Sequence, residues 1–257
     1  MLKTLFWACW LFLYMGVRIP LYWWLKHLRK QGREEEVRAV LAKQAPLWSG
    51  RLFRHTRTRI HVEGRENLPT TDQTVLFVSN HQSYLDIPLF FEVLGYPYPL
   101  MAKRELGKIP FLRSWMEMLD CIFVEREDIR AAAAAMKEAE EMLQSGRSLI
   151  VCPEGTRSMG DEMAEFKGGS VRMALRAGVP IVPLAVDGSY KILEGNDYRV
   201  QPAEVRFVVL PWVETEGLSR EEQKALPGKL HDLIREAKDA EKKPALEEPE
   251  GQKTLGQ

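Results

Sequence analysis

Residues 74–88 read TVLFVSNHQSYLDIP, an apolar run followed by a short polar segment and a second apolar start. The run Thr74–Ser79 is typical of a buried β-strand. In the triplet that ends the stretch, Asp86 is a residue type that favours a helix cap and Pro88 is tolerated in a first helical turn. The stretch therefore predicts a strand, a turn and a helix in succession, with His81 in the turn.

His81 and Asp86 are the candidate catalytic pair, five positions apart. An imidazole accepts a proton near neutral pH, and a neighbouring carboxylate fixes its tautomer and stabilises the imidazolium. Residues five apart in one helix point about 140° away from each other, so pairing requires His81 to lie before the helix. That position is the carboxyl end of a strand, where open α/β sheets bind ligands. The alternative is that Asp86 only caps the helix and His81 is a surface residue.

A second polar loop, Pro153 to Ser158 (PEGTRS), comes after the apolar run 148–152. Gly155 permits a tight turn, and Arg157 has the planar guanidinium that suits phosphate. Glu154 is a candidate to hold that guanidinium in place; the alternative is a capped loop with a local ion pair. The predicted binding residues lie just after strands or in this loop, and they are Lys103, Arg126, Glu154, Gly155, Thr156 and Arg157.

These motifs occur together with two further blocks, FKGG at 166–169 and VPIVP at 179–183. The ordered set resembles the glycerolipid acyltransferases, in particular the 1-acyl-sn-glycerol-3-phosphate (lysophosphatidic acid) acyltransferases. The resemblance implies transfer of an acyl chain to the sn-2 hydroxyl of lysophosphatidic acid, giving phosphatidic acid. The donor would be an acyl thioester, acyl-CoA or acyl-ACP, with acyl carrier protein as a partner in the second case. It also implies that His81 is the general base and that the basic residues surround the acceptor's phosphate.

A covalent route through a serine is not favoured, because GGSVR at 168–172 lacks the closing glycine of the G-x-S-x-G elbow. Direct attack by a bound hydroxyl, deprotonated by His81, is simpler. The tetrahedral intermediate needs hydrogen-bond donors for its oxyanion, and the candidates are the backbone near Gly168, Gly169 and Val182. The other histidines are dispersed without ligand spacing, so we expect no metal and no cofactor.

Other functions stay open on these residues. The acceptor could be glycerol-3-phosphate, another lysophospholipid or a lyso-ornithine lipid, and water as acceptor would make the protein a thioester hydrolase. A non-catalytic lipid-binding membrane adaptor is the alternative outside enzymes. Nucleic acid is not indicated, because Lys plus Arg and Asp plus Glu number 36 each. The three scattered cysteines suggest no disulfide framework and a reducing compartment.

The N-terminal segment differs in composition from the rest of the chain. Residues 5–17 contain no charge, and four of the seven tryptophans lie within the first 24 positions. Tryptophan favours the membrane interface, and the basic residues between Lys26 and Arg33 favour a cytoplasmic position for the rest of the chain. We therefore expect the segment to bind the lipid bilayer and the catalytic domain to face the cytoplasm. Because Arg18 and Pro20 interrupt the apolar run, both a spanning helix and a helix embedded in one leaflet stay open.

Seven short apolar runs alternate with helical patterns between about residues 60 and 240. The alternation predicts an α/β fold with a mixed, largely parallel central sheet flanked by helices, preceded by an N-terminal membrane-associating helical segment. One helix is predicted over 129–145 with Ile129 on its buried face, and a surface helix over 219–240 interrupted at Pro227. We expect membrane-associated helices over 1–56, broken near Pro46, the acyltransferase domain over 57–240 and a disordered tail over 241–257.

Overall fold

The computed structural model describes residues 2–70 and 72–240, and it has an α/β fold. The helices are α1 (Leu2–Val17), α2 (Ile19–Lys30), α3 (Glu34–Thr56), α4 (Asp86–Leu94), α5 (Pro110–Met118), α6 (Ile129–Gln144), α7 (Gly168–Ala177) and α8 (Arg220–Asp239). The strands are β1 (Arg59–Glu63), β2 (Leu76–Ser79), β3 (Met101–Lys103), β4 (Ile122–Val124), β5 (Leu149–Val151), β6 (Ile181–Asp187) and β7 (Glu204–Val209). The predicted tail over 241–257 lies outside the described residues.

The central sheet has the strand order β1-β7-β6-β2-β5. β2 pairs in parallel with both β5 and β6, and β7 pairs antiparallel with β6 and parallel with β1. The parallel pair β3–β4 continues the sheet beyond β5 through a parallel bridge between Leu100 and Ile150. The predicted mixed, largely parallel sheet is thus confirmed. The carboxyl ends of β2, β5, β3 and β4 lie along one edge, where the loops that leave them meet.

The sheet separates two apolar layers, because successive side chains of a strand point to opposite faces. Phe77 of β2 packs with α3 and α4, whose contribution includes Phe53 and Phe90. Its neighbour Leu76 packs on the other face, in a cluster formed with α6, α7 and α8 that includes Leu230 of α8. Helix α4 begins shortly after β2, and this apolar layer holds it against the sheet.

Two helices continue through prolines at which we predicted interruptions. Helix α3 runs through Pro46 and α8 runs through Pro227, so both predictions are wrong. A proline removes one intrahelical hydrogen bond. In each helix, apolar side chains buried beyond the proline, such as Leu52 in α3 and Leu230 in α8, favour continuation. Helix α8 is consequently an amphipathic helix packed on the sheet rather than a helix on the surface alone.

The predicted helix after Asp128 is α6, and the Asp128 carboxylate accepts hydrogen bonds from two backbone N–H groups in its first turn. Its buried face is formed by Ala135, Ala139 and Leu143. Ile129 was predicted on that face and is instead 86% exposed. The first turn of a helix that has just entered from a loop extends beyond the core, so periodicity alone misassigned it.

The N-terminal helices pack along one side of the domain. α3 contacts α4, and the Trp10 ring of α1 packs at a tilt against His55 of α3, with ring centroids 4.1 Å apart. In the described part of the chain, no single helix is both long enough and apolar enough to cross a membrane. The pair α1 and α2 together meets the length and hydropathy criteria, with a 41° bend between them.

Candidate active site

The candidate catalytic pair lies in the turn between β2 and α4. His81 Nδ1 is 2.7 Å from Asp86 Oδ2. The Asp86 side chain is fully buried, whereas that of His81 is 19% exposed. The predicted position of His81 before the helix is confirmed, and Asp86 makes no side-chain cap at the start of α4. The alternative in which Asp86 only caps the helix is therefore wrong.

Asp86 organises the whole turn with one oxygen. Its Oδ2 accepts hydrogen bonds from the backbone N–H groups of Gln82 at 2.7 Å and Ser83 at 3.0 Å as well as from His81. Its Oδ1 is buried without a hydrogen-bond partner in the part of the chain that the structure describes. Because Oδ2 acts as an acceptor, Nδ1 of His81 carries the hydrogen, and Nε2 is left with the lone pair of a base.

Glu154, just after β5, holds the backbone of this turn. Its Oε1 accepts from the backbone N–H of His81 at 2.7 Å, and its Oε2 accepts from that of Ala164 at 2.9 Å. Burial raises the pKa of the Glu154 carboxyl, and the two backbone hydrogen bonds partly oppose that shift. The expectation that Glu154 holds the Arg157 guanidinium is wrong, because both of its oxygens are bound to backbone N–H groups elsewhere.

Arg157 is held instead by a carboxylate distant in sequence. Its Nη1 donates to Glu194 Oε1 at 2.8 Å, and its guanidinium carbon lies 3.3 Å from the centroid of the Tyr84 ring. The Glu194 side chain is 1% exposed and also accepts from Ser83 Oγ at 2.7 Å. Cation–π stacking and a buried ion pair fix the plane of the guanidinium. Its other N–H groups have no partner among the residues described and can bind an anion.

Sequence reasoning missed three residues that hold the active-site turn. Asn80 bonds reciprocally with the backbone of Val186, with both distances 2.8 Å. The Gln82 amide bonds to Gly160 O and to the Gly188 N–H. The third residue is Glu194. Asn80 and Gln82 adjoin His81 and so carried a signal, whereas Glu194 lies in a short 3₁₀ turn with no motif around it.

Lys103 and Arg126 lie at the same edge of the sheet, at the ends of β3 and β4. Lys103 Nζ is 2.8 Å from Glu105 Oε1, and its side chain is 51% exposed. Burial lowers the pKa of the Arg126 guanidinium, and the nearby Glu105 carboxylate partly offsets this. The structure thus brings both residues to the edge that carries His81, as the strand order requires.

Four of the remaining predicted residues lie in the loop after β5 or at the start of α7. Gly155 has φ +75°, and a Cβ there would meet Lys167 Nζ at 2.9 Å, while Thr156 is exposed. Gly168 and Gly169 form the first turn of α7, tied to the β5 loop by the Lys167 N–H donating to Pro153 O. As oxyanion donors they stay a prediction.

Val182 is not brought to His81. It is fully buried and pairs with Phe77 in the β2–β6 ladder, whereas His81 lies beyond the end of β2. The backbone of Ile181, next to it, bonds to Val213 on both its N–H and its carbonyl. Val182 is accordingly a core residue at a distance from the predicted reacting atoms.

Two serine hydroxyls near His81 are hydrogen-bonded, and one nearby thiol has a raised pKa. Ser83 Oγ donates to Glu194 and accepts from the Leu85 N–H, and Ser158 Oγ donates to Gly160 O. Burial, with a smaller effect of the Asp86 carboxylate, raises the pKa of the Cys152 thiol well above its ordinary value. A bound hydroxyl activated by His81 is therefore favoured over a protein nucleophile.

Several known acyltransferases are similar to this chain. The family model described as Acyltransferase matches residues 59–187. A 1-acyl-sn-glycerol-3-phosphate acyltransferase of Borreliella burgdorferi is 33% identical over 176 residues, which are 68% of this chain and 70% of that protein. The chloroplastic 1-acyl-sn-glycerol-3-phosphate acyltransferase of Arabidopsis thaliana is 34% identical over 59% of this chain, but the match spans only 42% of its length.

A solved structure is similar over nearly the whole chain. It is the 1-acyl-sn-glycerophosphate (LPA) acyltransferase of Thermotoga maritima, with a TM-score of 0.78 and 28% sequence identity. The similarity covers 92% of this chain and 93% of that one, so it includes N-terminal helices as well as the sheet.

Proposed function

This chain belongs to the acyltransferase family, and we propose on that basis that it transfers an acyl chain from an acyl thioester to the sn-2 hydroxyl of lysophosphatidic acid. The observation that carries the proposal is the 2.7 Å contact between His81 Nδ1 and a fully buried Asp86 carboxylate. The relatives are named as acyltransferases of 1-acyl-sn-glycerol-3-phosphate, which is lysophosphatidic acid. Their names therefore support the proposed acceptor. The product is phosphatidic acid.

In the proposed reaction His81 Nε2 takes the proton of the acceptor hydroxyl as its oxygen attacks the thioester carbonyl. The carbon–oxygen ester bond forms, and the carbonyl electrons pass to an oxyanion. When the tetrahedral intermediate collapses, the carbon–sulfur bond breaks and the leaving thiolate takes the proton from the imidazolium. Asp86 stabilises that imidazolium without changing its own protonation. The reaction needs no metal or organic cofactor, since the donor supplies the activated acyl group.

Arg157 is the proposed main ligand of the acceptor's phosphate. Its guanidinium is stacked on Tyr84 and paired to Glu194, so it is oriented before the acceptor binds. Lys103 and Arg126 lie at the neighbouring strand ends and add positive charge near the same anion. The first turn of α7, with Gly168 and Gly169, is the proposed source of N–H groups for the oxyanion.

We propose that the N-terminal helices hold the protein on the cytoplasmic face of a lipid bilayer. Three apolar side chains of α1 are each more than three-fifths exposed: Leu5, Phe6 and Leu13. An exposed apolar surface of this kind is typical of a membrane contact. Membrane contact would bring the lysophospholipid acceptor to the site. The donor, acyl-CoA or acyl carrier protein, would arrive from the aqueous side, and nucleic acid is not a proposed partner.

The test is acyl transfer by the detergent-solubilised full chain, read by mass spectrometry. Lysophosphatidic acid, glycerol-3-phosphate, a lysophosphatidylcholine and a lyso-ornithine lipid are each offered with acyl-CoA and with acyl-ACP. His81→Ala provides the background. Phosphatidic acid formed from lysophosphatidic acid, and absent with the variant, is the expected result.

Other outcomes would each correct one part of the proposal. A different acceptor acylated in a His81-dependent manner keeps the chemistry and replaces the substrate. Free fatty acid released equally with and without acceptor would make the protein a thioester hydrolase. A folded protein inactive with every pair, and equally able to bind lipid after His81→Ala, would favour a membrane adaptor.

A further inference from the structure

A second basic site lies among the N-terminal helices, apart from the turn that carries His81. A surface cavity between α1, α2 and α3 is lined by aromatic and aliphatic side chains and by two arginines, Arg18 and Arg51. Both arginines lie over the Tyr14 ring, with guanidinium carbons 4.9 Å and 5.8 Å from its centroid. Two positive charges therefore converge on one phenol.

Neutral groups hold both guanidinium groups. Arg18 donates to Tyr14 Oη at 2.8 Å and to Gln44 Oε1 at 2.6 Å, and Arg51 donates to Tyr14 Oη at 3.4 Å. No carboxylate lies within ion-pair distance of either arginine among residues 2–70 and 72–240. Two like charges at one site repel, and the pair is stabilised when an anion binds between them.

The walls of the cavity indicate what kind of anion fits. Leu13 and Val17 are 69% and 68% exposed on one side, and the chain bends by 41° at Arg18, between the apolar helices α1 and α2. Trp23 and Trp24 of α2 are also exposed. A free phosphate would gain nothing from these apolar surfaces, whereas the acyl chains of a lipid would cover them.

We propose that this cavity binds the phosphate of an anionic phospholipid, with Arg18 and Arg51 as its ligands and Tyr14 positioning both. The inference rests on the membrane contact proposed above and adds a specific headgroup site to it. The lipid's acyl chains would lie against α1 and α2, and its phosphate would occupy the bend. The site would fix where the N-terminal helices sit relative to the membrane surface.

The test is co-sedimentation of the full chain with vesicles of phosphatidylcholine alone and of equal parts phosphatidylcholine and phosphatidylglycerol. Removing any basic residue near an anionic surface weakens binding by about fivefold. Arg54→Gln, an exposed arginine one turn further along α3, gives that general effect. We expect Arg18→Gln combined with Arg51→Gln to lower the preference for phosphatidylglycerol by more than twice the Arg54→Gln effect on a logarithmic scale.

Tyr14→Phe separates the site from general electrostatics, because it keeps every charge and removes the hydroxyl that holds both arginines. It should lower the preference for phosphatidylglycerol while binding to phosphatidylcholine stays unchanged. An additional arm adds inorganic phosphate, with chloride at equal ionic strength as control. Equal effects of the two salts are expected; a stronger effect of phosphate would mean that the site takes the free anion and would overturn the lipid assignment.

The failures are distinguishable. The specific site is wrong if the double variant lowers the preference for phosphatidylglycerol by no more than twice the Arg54→Gln effect on a logarithmic scale. It is also wrong if Tyr14→Phe has the same preference as the wild type. In both cases the membrane contact stands. If the wild type binds neither vesicle, the membrane contact and the site fall together. Acyl transfer to detergent-dispersed acceptor, measured on the same samples, should be unchanged in all these variants; that readout reports separately on folding and on the proposed reaction.

Discussion

Two histidine–carboxylate pairs in this molecule have similar contacts and different surroundings. His81 Nδ1 lies 2.7 Å from Asp86 Oδ2, and His61 Nε2 lies 2.5 Å from Glu204 Oε2. The side chains of the first pair are 19% and 0% exposed, and those of the second pair are 45% and 43% exposed. Contact between an imidazole and a carboxylate therefore does not by itself identify a catalytic pair.

The surroundings separate the two pairs. His61 and Glu204 lie on the adjacent strands β1 and β7, where water solvates both, and Arg59 also reaches Glu204. A surface pair of this kind contributes little to stability. Asp86 is desolvated and receives two backbone N–H groups besides the imidazole. The buried pair therefore differs from the exposed pair in desolvation and in the number of donors to its carboxylate, and we expect only the buried pair to support the proposed proton transfer.

The largest expected effect comes from removing the base of the buried pair. His81→Ala should lower kcat by about 10³- to 10⁴-fold, because it removes the proposed general base. His61→Ala should leave kcat within about twofold of the wild type, since a substitution on the exposed surface, away from the active site, is nearly neutral. Steady-state acyl transfer measures both. A His81→Ala protein with a tenth of the wild-type rate would remove the distinction between the pairs.

Asp86→Asn tests the carboxylate while keeping the size of the side chain. An amide stabilises the imidazolium less than a carboxylate does, and its NH₂ group can turn Nδ1 into an acceptor, which puts the hydrogen on Nε2. We expect kcat to fall by about 10²-fold, with Glu204→Gln as the matched control on the exposed pair. If Asp86→Asn changed only the temperature of unfolding and left kcat intact, Asp86 would be a structural residue alone.

Arg157 and Glu194 extend the contrast to the acceptor's phosphate. Arg157→Gln and Glu194→Gln should each raise the acceptor KM by about tenfold or more, because charge-assisted hydrogen bonds are involved, with a smaller change in kcat. The double variant should be close to Arg157→Gln alone, since Glu194 acts through Arg157. Additive effects would contradict that coupling. Monoacylglycerol, which lacks the phosphate, serves as the control acceptor and should be insensitive to both changes.

Lys103 tests whether exposure limits the effect even at the correct edge of the sheet. Its side chain is 51% exposed and is paired with Glu105, so it is solvated to a similar degree as the His61–Glu204 pair. It nevertheless lies at the edge of the sheet that carries His81. Lys103→Gln should raise the acceptor KM by only about two- to fivefold, and high salt should erase the difference. Lys108→Gln, on the adjoining 3₁₀ turn, removes an equal charge and should do less. An effect as large as that of Arg157→Gln would show that burial does not rank these basic groups.

The sequence was sufficient for the parts of the fold that depend on local pattern. The alternation of apolar runs predicted each of the strands β1 to β7, and the contrast between strand, turn and helix around His81 predicted the geometry of the pair. Prolines and helix ends were predicted less well. Pro46 and Pro227 lie in helices whose tertiary packing outweighs the lost hydrogen bond, and Ile129 extends beyond the core that its periodicity indicated.

The parts of the site that escaped prediction depend on contacts between distant segments. Glu194 meets Ser83 across 111 positions, and its short 3₁₀ turn has no spacing rule that points to that partner. Glu154 was assigned to its neighbour Arg157, but its carboxylate binds the backbone N–H groups of His81 and Ala164 instead, because sequence proximity cannot report which way a carboxylate points. Val182 was a candidate oxyanion donor, but it pairs with Phe77 inside the β2–β6 ladder, whereas His81 lies beyond the end of β2.

The smallest expected effect concerns the free energy of unfolding, where the buried and exposed carboxylates should respond to pH with opposite signs. Burial raises the pKa of Glu154, so the folded protein binds that proton more tightly than the unfolded chain does, and the stability due to it is lost as pH rises toward the raised value. The hydrogen bond from His61 lowers the pKa of Glu204, so its contribution is lost as pH falls through the acid range. Urea unfolding across that range should therefore show the wild type losing stability relative to Glu154→Gln with rising pH, and gaining it relative to Glu204→Gln. Two differences that change in the same direction would mean that burial does not set the titration of Glu154, and the contrast between desolvated and solvated pairs would lose its electrostatic basis.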